Sequence, residues 1–132
     1  MIEDYAGRHP ERCAVFPSLG MRRYLSMLHC ATAVVGNSSS GIVEVPSMKI
    51  PTLDIGIRQA GRTAADSVLH CGVSRAEITE GLRIVLSEDF RAKASQVDNP
   101  YYQPDTLLRM VDAIMNTSLE GITVKPFYDL PQ

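Results

Sequence analysis

Apolar and polar positions change over in short blocks along this chain, and the blocks predict alternating strands and helices. Cys13-Ala-Val-Phe16 is an apolar run closed by Pro17, the pattern of a buried strand. Ser18 is placed to cap a helix from about Leu19 to Ala31, in which Met21, Leu25 and Leu28 recur at i, i+4, i+7 spacing. Ala33-Val-Val-Gly36 predicts the next strand, apolar throughout as in a parallel sheet covered on both faces. A small-residue loop, Asn37 to Gly41, leads into a short helix from Ile42 to about Met48 that Pro46 disturbs. Pro51-Thr-Leu-Asp-Ile55 predicts a third strand, and Ser67-Val-Leu-His70 a fourth after a long polar loop from Gly56 to Asp66. Ser74-Arg-Ala-Glu77 is a capping box opening a helix to about Leu86. Ser87 to Asn99 reads as a short helical piece and a loop. Asp105 caps a last helix, about Thr106 to Met115, with Leu107, Met110, Val111 and Ile114 on one stripe, and Gly121 to Gln132 is an irregular tail.

Strands alternating with helices at these intervals predict an α/β domain with a mostly parallel, Rossmann-like sheet. Right-handed crossovers place the strand-to-helix loops on one edge, where ligands of such sheets bind. Three loops are expected there: Pro17–Gly20, Asn37–Gly41 and Gly56–Arg62.

Bulk properties narrow the partners. The 132 residues fit one domain, with residues 1–12 as a lead-in and 117–132 as a tail. Net charge is −2, so no overall basic field attracts nucleic acid or an anionic membrane, and any anion site must be local. No run approaches the roughly 20 apolar residues that span a bilayer, and residues 1–11 lack the apolar core of a signal peptide. Cys13, Cys30 and Cys71 show no metal-ligand spacing and are expected to be buried, reduced thiols of a cytoplasmic protein.

Two loops carry candidate chemistry. In Gly36-Asn-Ser-Ser-Ser-Gly41 the residues are small, so backbone N–H groups can approach a ligand, and Ser38, Ser39 and Ser40 add hydroxyl donors. The Gly-Lys-[Ser/Thr] ending of a P-loop is absent. A capped turn entering a helix reads equally well. Glu44 can accept two ribose hydroxyls, or simply stabilise a helix start. The second loop, Gly56-Ile-Arg58-Gln59-Ala-Gly-Arg62, puts two arginines directly after a strand. Planar guanidinium groups suit a diphosphate, although solvated surface arginines are common. Two such loops on adjacent strand ends would converge on one point.

The run Val35-Gly-Asn-Ser-Ser-Ser-Gly-Ile-Val-Glu-Val-Pro-Ser47, followed by Pro51-Thr-Leu-Asp-Ile-Gly-Ile-Arg-Gln-Ala-Gly-Arg62, resembles the hydrolysing UDP-N-acetylglucosamine 2-epimerases. The tail Lys125-Pro-Phe-Tyr-Asp-Leu130 looks like the usual end of bacterial members. The similarity runs from about Phe16 to Ser87 and returns near Asn99-Pro100, while Glu88 to Val97 is only loosely similar. It implies the C-terminal, UDP-binding lobe of a GT-B fold, incomplete at its start. Ser38, Ser39, Ser40 and Gly41 would hold the diphosphate, Glu44 the ribose hydroxyls and Arg58 the phosphates. Phe16, Pro17, Ser18 and Leu19 would lie against uracil.

The family's catalytic acids belong to the N-terminal lobe, and a functional histidine precedes the uracil loop, so no catalytic residue is assigned in this chain. His9, His29 and His70 match no catalytic position and are expected to be structural or surface groups. In the intact family, UDP leaves by anti elimination through a 2-acetamidoglucal, and hydration gives N-acetylmannosamine, without metal or other cofactor. The expected ligand is UDP or UDP-N-acetylglucosamine, with the N-terminal lobe or another copy of the chain as a protein partner. Three other readings stay open: a UDP-sugar-binding module or one part of a split enzyme, a phosphosugar-binding domain, and a fragment that exposes a sheet edge and an apolar face.

Overall fold

Three of the four predicted strands pair. β1 (Val34–Gly36), β2 (Thr52–Ile55) and β3 (Val68–Cys71) form a parallel sheet in the order β1-β2-β3. The register sets Val34 opposite Thr52 and Thr52 opposite Val68, so Gly36, Asp54 and His70 share one level near the carboxyl ends of the strands. The computed structural model describes residues 1–124; the tail run Lys125 to Leu130 lies outside them.

β2 is the buried centre. Thr52, Leu53 and Asp54 are all at most 2% exposed. Successive side chains of a strand point to opposite faces, and each face here receives a helix through a glycine. On one face α3 (Ser40–Val43) approaches so closely that a Cβ on Gly41 would stand 2.7 Å from Thr52 Cγ2. On the other, α4 (Arg75–Val85) sets Gly81 where a Cβ would lie 2.6 Å from Leu53 Cδ1. Small residues at these two points let both helices close on the sheet. Ile42, Val45 and Val85, each at most 1% exposed, complete the core.

The capping box forms as predicted. Ser74 Oγ accepts from Glu77 N–H, and the Glu77 carboxylate accepts from Ser74 N–H at 3.1 Å and from its hydroxyl at 2.5 Å. Those bonds hold the Glu77 carboxyl below its ordinary value, the side-chain bond contributing most. The segment foreseen as a short helical piece is a full helix, α5 (Glu88–Gln96), capped by Ser87 accepting from Phe90 N–H. The helix disturbed by Pro46 divides into the single α-turn of α3 and a 3-10 turn, Val45–Met48, with Pro46 in its first turn, where no N–H is missed.

Other expectations need correction. Cys13 to Phe16 is not a strand: among the described residues no strand pairs with it, Val15 and Phe16 are exposed, and Cys13 N–H bonds to the His9 carbonyl instead. An apolar run becomes a strand only beside a neighbour that takes its backbone groups. The lead-in carries a helix, α1 (Ile2–Arg8), that its polarity concealed; it buries no residue and joins Asp4 to Arg8 across one turn at 3.2 Å. α2 spans Gly20–Leu28, shorter than predicted, and Leu19 rather than Ser18 holds its N-cap position, although Ser18 Oγ accepts from Gly20 N–H. Leu28 of its stripe is buried but Met21 is 79% exposed. The cysteines are not buried: Cys30 is exposed, and Cys13 and Cys71 are half-buried. Partial burial, helped by the charges of Glu77 and Asp54, still pushes the Cys71 thiol up.

Contacts divide the chain into residues 1–102 and residues 103–132. The sheet and α1 to α5 belong to the first unit. The described part of the second carries α6 (Thr106–Asn116), whose Leu107, Met110, Val111 and Ile114 are all exposed. Asp105 precedes α6 in the left-handed region, φ 59°, and its carboxylate makes no capping bond.

Candidate functional site at the carboxyl edge of the sheet

The serine loop follows β1 and is held from three sides. From below, Thr52 Oγ1 on β2 donates to the Gly41 carbonyl at 2.9 Å. From α2, the Tyr24 hydroxyl lies 2.6 Å from Ser40 Oγ. From the loop after β2, the Gln59 side-chain amide donates to the Asn37 carbonyl at 2.7 Å. Within the loop, Ser38 Oγ accepts from Ser40 N–H at 3.3 Å. The Gly41, Ile42 and Val43 amides are used inside the turn, bonding to the Ser38 or Ser39 carbonyls. The Ser38 and Ser39 backbone amides are not used in this way and, with the side-chain hydroxyls, are the donors available, while the single turn of α3 adds little dipole.

Gln59 is the residue that sequence reasoning passed over. It lies in a polar loop, yet it is only 3% exposed. Its amide nitrogen binds the serine loop while its carbonyl accepts from Arg62 Nη1 at 3.0 Å, so the two candidate loops do converge. Arg62 is thereby fixed at the junction. Arg58 is exposed and has no partner among the described residues. Gln59 stood within the run that carries the family resemblance, but nothing in its type or spacing marked it as buried.

Glu44 does not stand in the first turn of α3 but at its end, in the N-cap position of the 3-10 turn. Its side chain is exposed. There the carboxylate is engaged in no capping bond, so its oxygens are left able to accept hydroxyls. Phe16, Ser18 and Leu19 line an open cleft of about 430 Å³ with Gly20, Met21 and Tyr24; Phe16 is 59% exposed. Tyr24 joins this cleft to the serine loop. Pro17 is exposed in the same segment.

Among the described residues no histidine side chain bonds to either loop. His70 Nδ1 lies 2.8 Å from Asp54 Oδ2, directly across the β2–β3 register, with Asp54 2% exposed. His70 therefore has a structural partner, a buried carboxylate to which its ring nitrogen can donate. Among the described residues no group of three or more His, Cys, Asp or Glu side chains could hold a metal ion, and no helix is long and apolar enough to cross a membrane.

Comparison with known proteins decides the family. The family model described as UDP-N-acetylglucosamine 2-epimerase matches residues 1–115. The chain belongs to that family. The polysialic acid biosynthesis protein P7 of Escherichia coli is 35% identical over 87% of this chain and 30% of its own length. The GDP/UDP-N,N'-diacetylbacillosamine 2-epimerase (hydrolyzing) of Campylobacter jejuni is 29% identical over 98% of this chain and 34% of its own length. A UDP-N-acetylglucosamine 2-epimerase of Neisseria meningitidis is 33% identical over 63% of this chain. The chain thus spans about a third of the first two relatives. Its three-stranded parallel α/β sheet is consistent with part of a GT-B lobe, and the loops after β1 and β2 leave the carboxyl edge of that sheet.

Proposed function

We propose that this chain is the UDP-binding part of a hydrolysing UDP-N-acetylglucosamine 2-epimerase and does not turn over substrate alone. The observation that carries the reading is the Gln59 bridge, which draws the serine loop and the arginine loop to one end of the sheet. Hydroxyls of Ser38, Ser39 and Ser40, the turn at Gly41, and the Arg58 guanidinium then surround one place for a diphosphate. The Glu44 carboxylate takes the ribose hydroxyls. The cleft at Phe16, Pro17, Ser18 and Leu19 takes the base.

In the whole enzyme, UDP-N-acetylglucosamine would give N-acetylmannosamine and UDP. Negative charge accumulates on the diphosphate as it leaves, and donors already in place stabilise it without reorganising. The part assigned to this chain is to bind UDP and stabilise that charge. The acids and bases come from an N-terminal lobe, or from another chain that supplies one, in a cytoplasmic enzyme. The names of the Campylobacter and Neisseria relatives differ in the sugar and both include UDP, which supports assigning the nucleotide to this region.

Calorimetric titration with UDP, with a hexosamine phosphate as comparison, tests the reading. Saturable binding of UDP alone is expected. Preference for the sugar phosphate would favour a phosphosugar domain, and a folded chain that binds neither would remove the proposal.

A further inference from the structure

We infer that Tyr24 is a positioning residue for the diphosphate, acting as the first donor of a two-hydroxyl relay that ends on the ligand; this rests on the nucleotide reading above. The observation is the 2.6 Å contact between Tyr24 Oη and Ser40 Oγ, part-buried and spanning 16 residues. Either oxygen can donate in that contact. A phosphate oxygen can only accept, and it breaks the symmetry. With a diphosphate in the loop, the Ser40 proton turns to the phosphate, and Ser40 Oγ must then accept from Tyr24. The phenol is the more acidic of the two hydroxyls and the better donor. Each bond in such a chain polarises the next, so Ser40 becomes a stronger donor than an isolated serine.

Position supports the assignment. Tyr24 is half-buried on α2, the helix entered from the Phe16–Leu19 segment, and it lines the same cleft as Phe16 and Leu19. One side chain therefore reaches the wall of the base cleft with its body and the phosphate loop with its tip. That fixes the distance between the two ends of the nucleotide. Ser38 and Ser39 are exposed, whereas Ser40 is half-buried, so Ser40 is the hydroxyl that most needs a neighbour to orient it.

The test is a double-mutant cycle on the full chain with Tyr24→Phe, Ser40→Ala and the pair, each checked for folding by thermal melting. Binding of UDP and of uridine is followed by NMR chemical shift, which reads weak as well as tight binding. Tyr24→Phe keeps the ring and should weaken UDP about 3- to 10-fold, the range of one net hydrogen bond, while leaving uridine unchanged. The pair should bind UDP no more weakly than Ser40→Ala alone, because the relay has already lost its second member. Wild-type affinity in Tyr24→Phe, additive losses in the pair, or equal losses for UDP and uridine would overturn the relay and leave the nucleotide site standing. A folded wild-type chain that binds no UDP would overturn the nucleotide reading and the relay together.

Discussion

The side-chain nitrogen of Gln59 lies 2.7 Å from the carbonyl oxygen of Asn37, and this bond joins the loop after β2 to the loop after β1. Gln59→Leu keeps much of the volume but leaves a carbonyl and the Arg62 guanidinium without their partner. The variant should lose about 0.5–1.5 kcal/mol of stability, the net worth of a hydrogen bond whose remaining partners can reach water. UDP affinity should fall as well, since the arginine loop is no longer tied to the serines. Thermal melting and calorimetry together check both; a variant that melts and binds as wild type would remove the bridge from the argument.

Glu44 and Arg58 are exposed and their side chains make no bond among the described residues, so each can be replaced at little structural cost. Glu44→Ala and Arg58→Ala should leave the melting temperature nearly unchanged and weaken UDP by about 1–3 kcal/mol each. The two can be told apart by ligand. Removing the ribose 2′-hydroxyl should cost wild type affinity and cost Glu44→Ala much less, whereas Arg58→Ala should keep the full penalty. Wild-type affinity in both variants would put the site elsewhere.

Gly41 closes on Thr52 with no room for a methyl group, since the added Cβ would stand 2.7 Å from Thr52 Cγ2. Gly41→Ala should destabilise by about 1–3 kcal/mol through overpacking, more than the helix propensity of alanine returns in a one-turn helix. Thr52→Ser removes the offending methyl and keeps the hydroxyl that donates to the Gly41 carbonyl. The double variant should therefore recover most of the loss. Denaturant melts of the four proteins decide it; no recovery would show that the strain lies outside this contact.

The capping box predicts a dependence on acid. The Glu77 carboxyl is held below its ordinary value of 4.5 by the Ser74 bonds, so their contribution is complete above that value. It is lost as pH falls through the lowered folded value. Ser74→Ala should cost about 1 kcal/mol at neutral pH, as for a serine cap. The gap between wild type and variant should narrow below pH 4.5. A gap that stays constant into acid would show that the carboxylate takes no part in the cap.

How much of this was legible in the sequence depends on where each residue finds its partner. β1, β2 and β3 were legible because apolar or β-branched runs bounded by Gly and Pro need only adjacent strands. Ser74 and Glu77 were legible because both halves of the box lie within four residues. The Cys13–Phe16 run has the composition of a strand, but pairing is a property of the neighbour, and none lies beside it among the described residues. α1 was hidden because a helix without a buried face carries no periodic signal. The role of Gln59 was hidden for a different reason: its partner is 22 residues away, and burial of a polar loop residue leaves no mark on composition. Ser38, Ser39 and Glu44 were recognised as a group, yet the fixing of Ser40 by Tyr24 could not be read from either residue alone.

The three anchors of the serine loop have one more consequence. Thr52, Tyr24 and Gln59 reach it across 11, 16 and 22 residues. Closing segments of that length costs little chain entropy, and the cost rises only logarithmically with length. The cradle is thus assembled within one continuous stretch of chain, Tyr24 to Gln59, without help from either end of the sequence. Within the first unit it can behave as one cooperative block, so that amide hydrogen exchange in the loop, β1 and β2 rises and falls together.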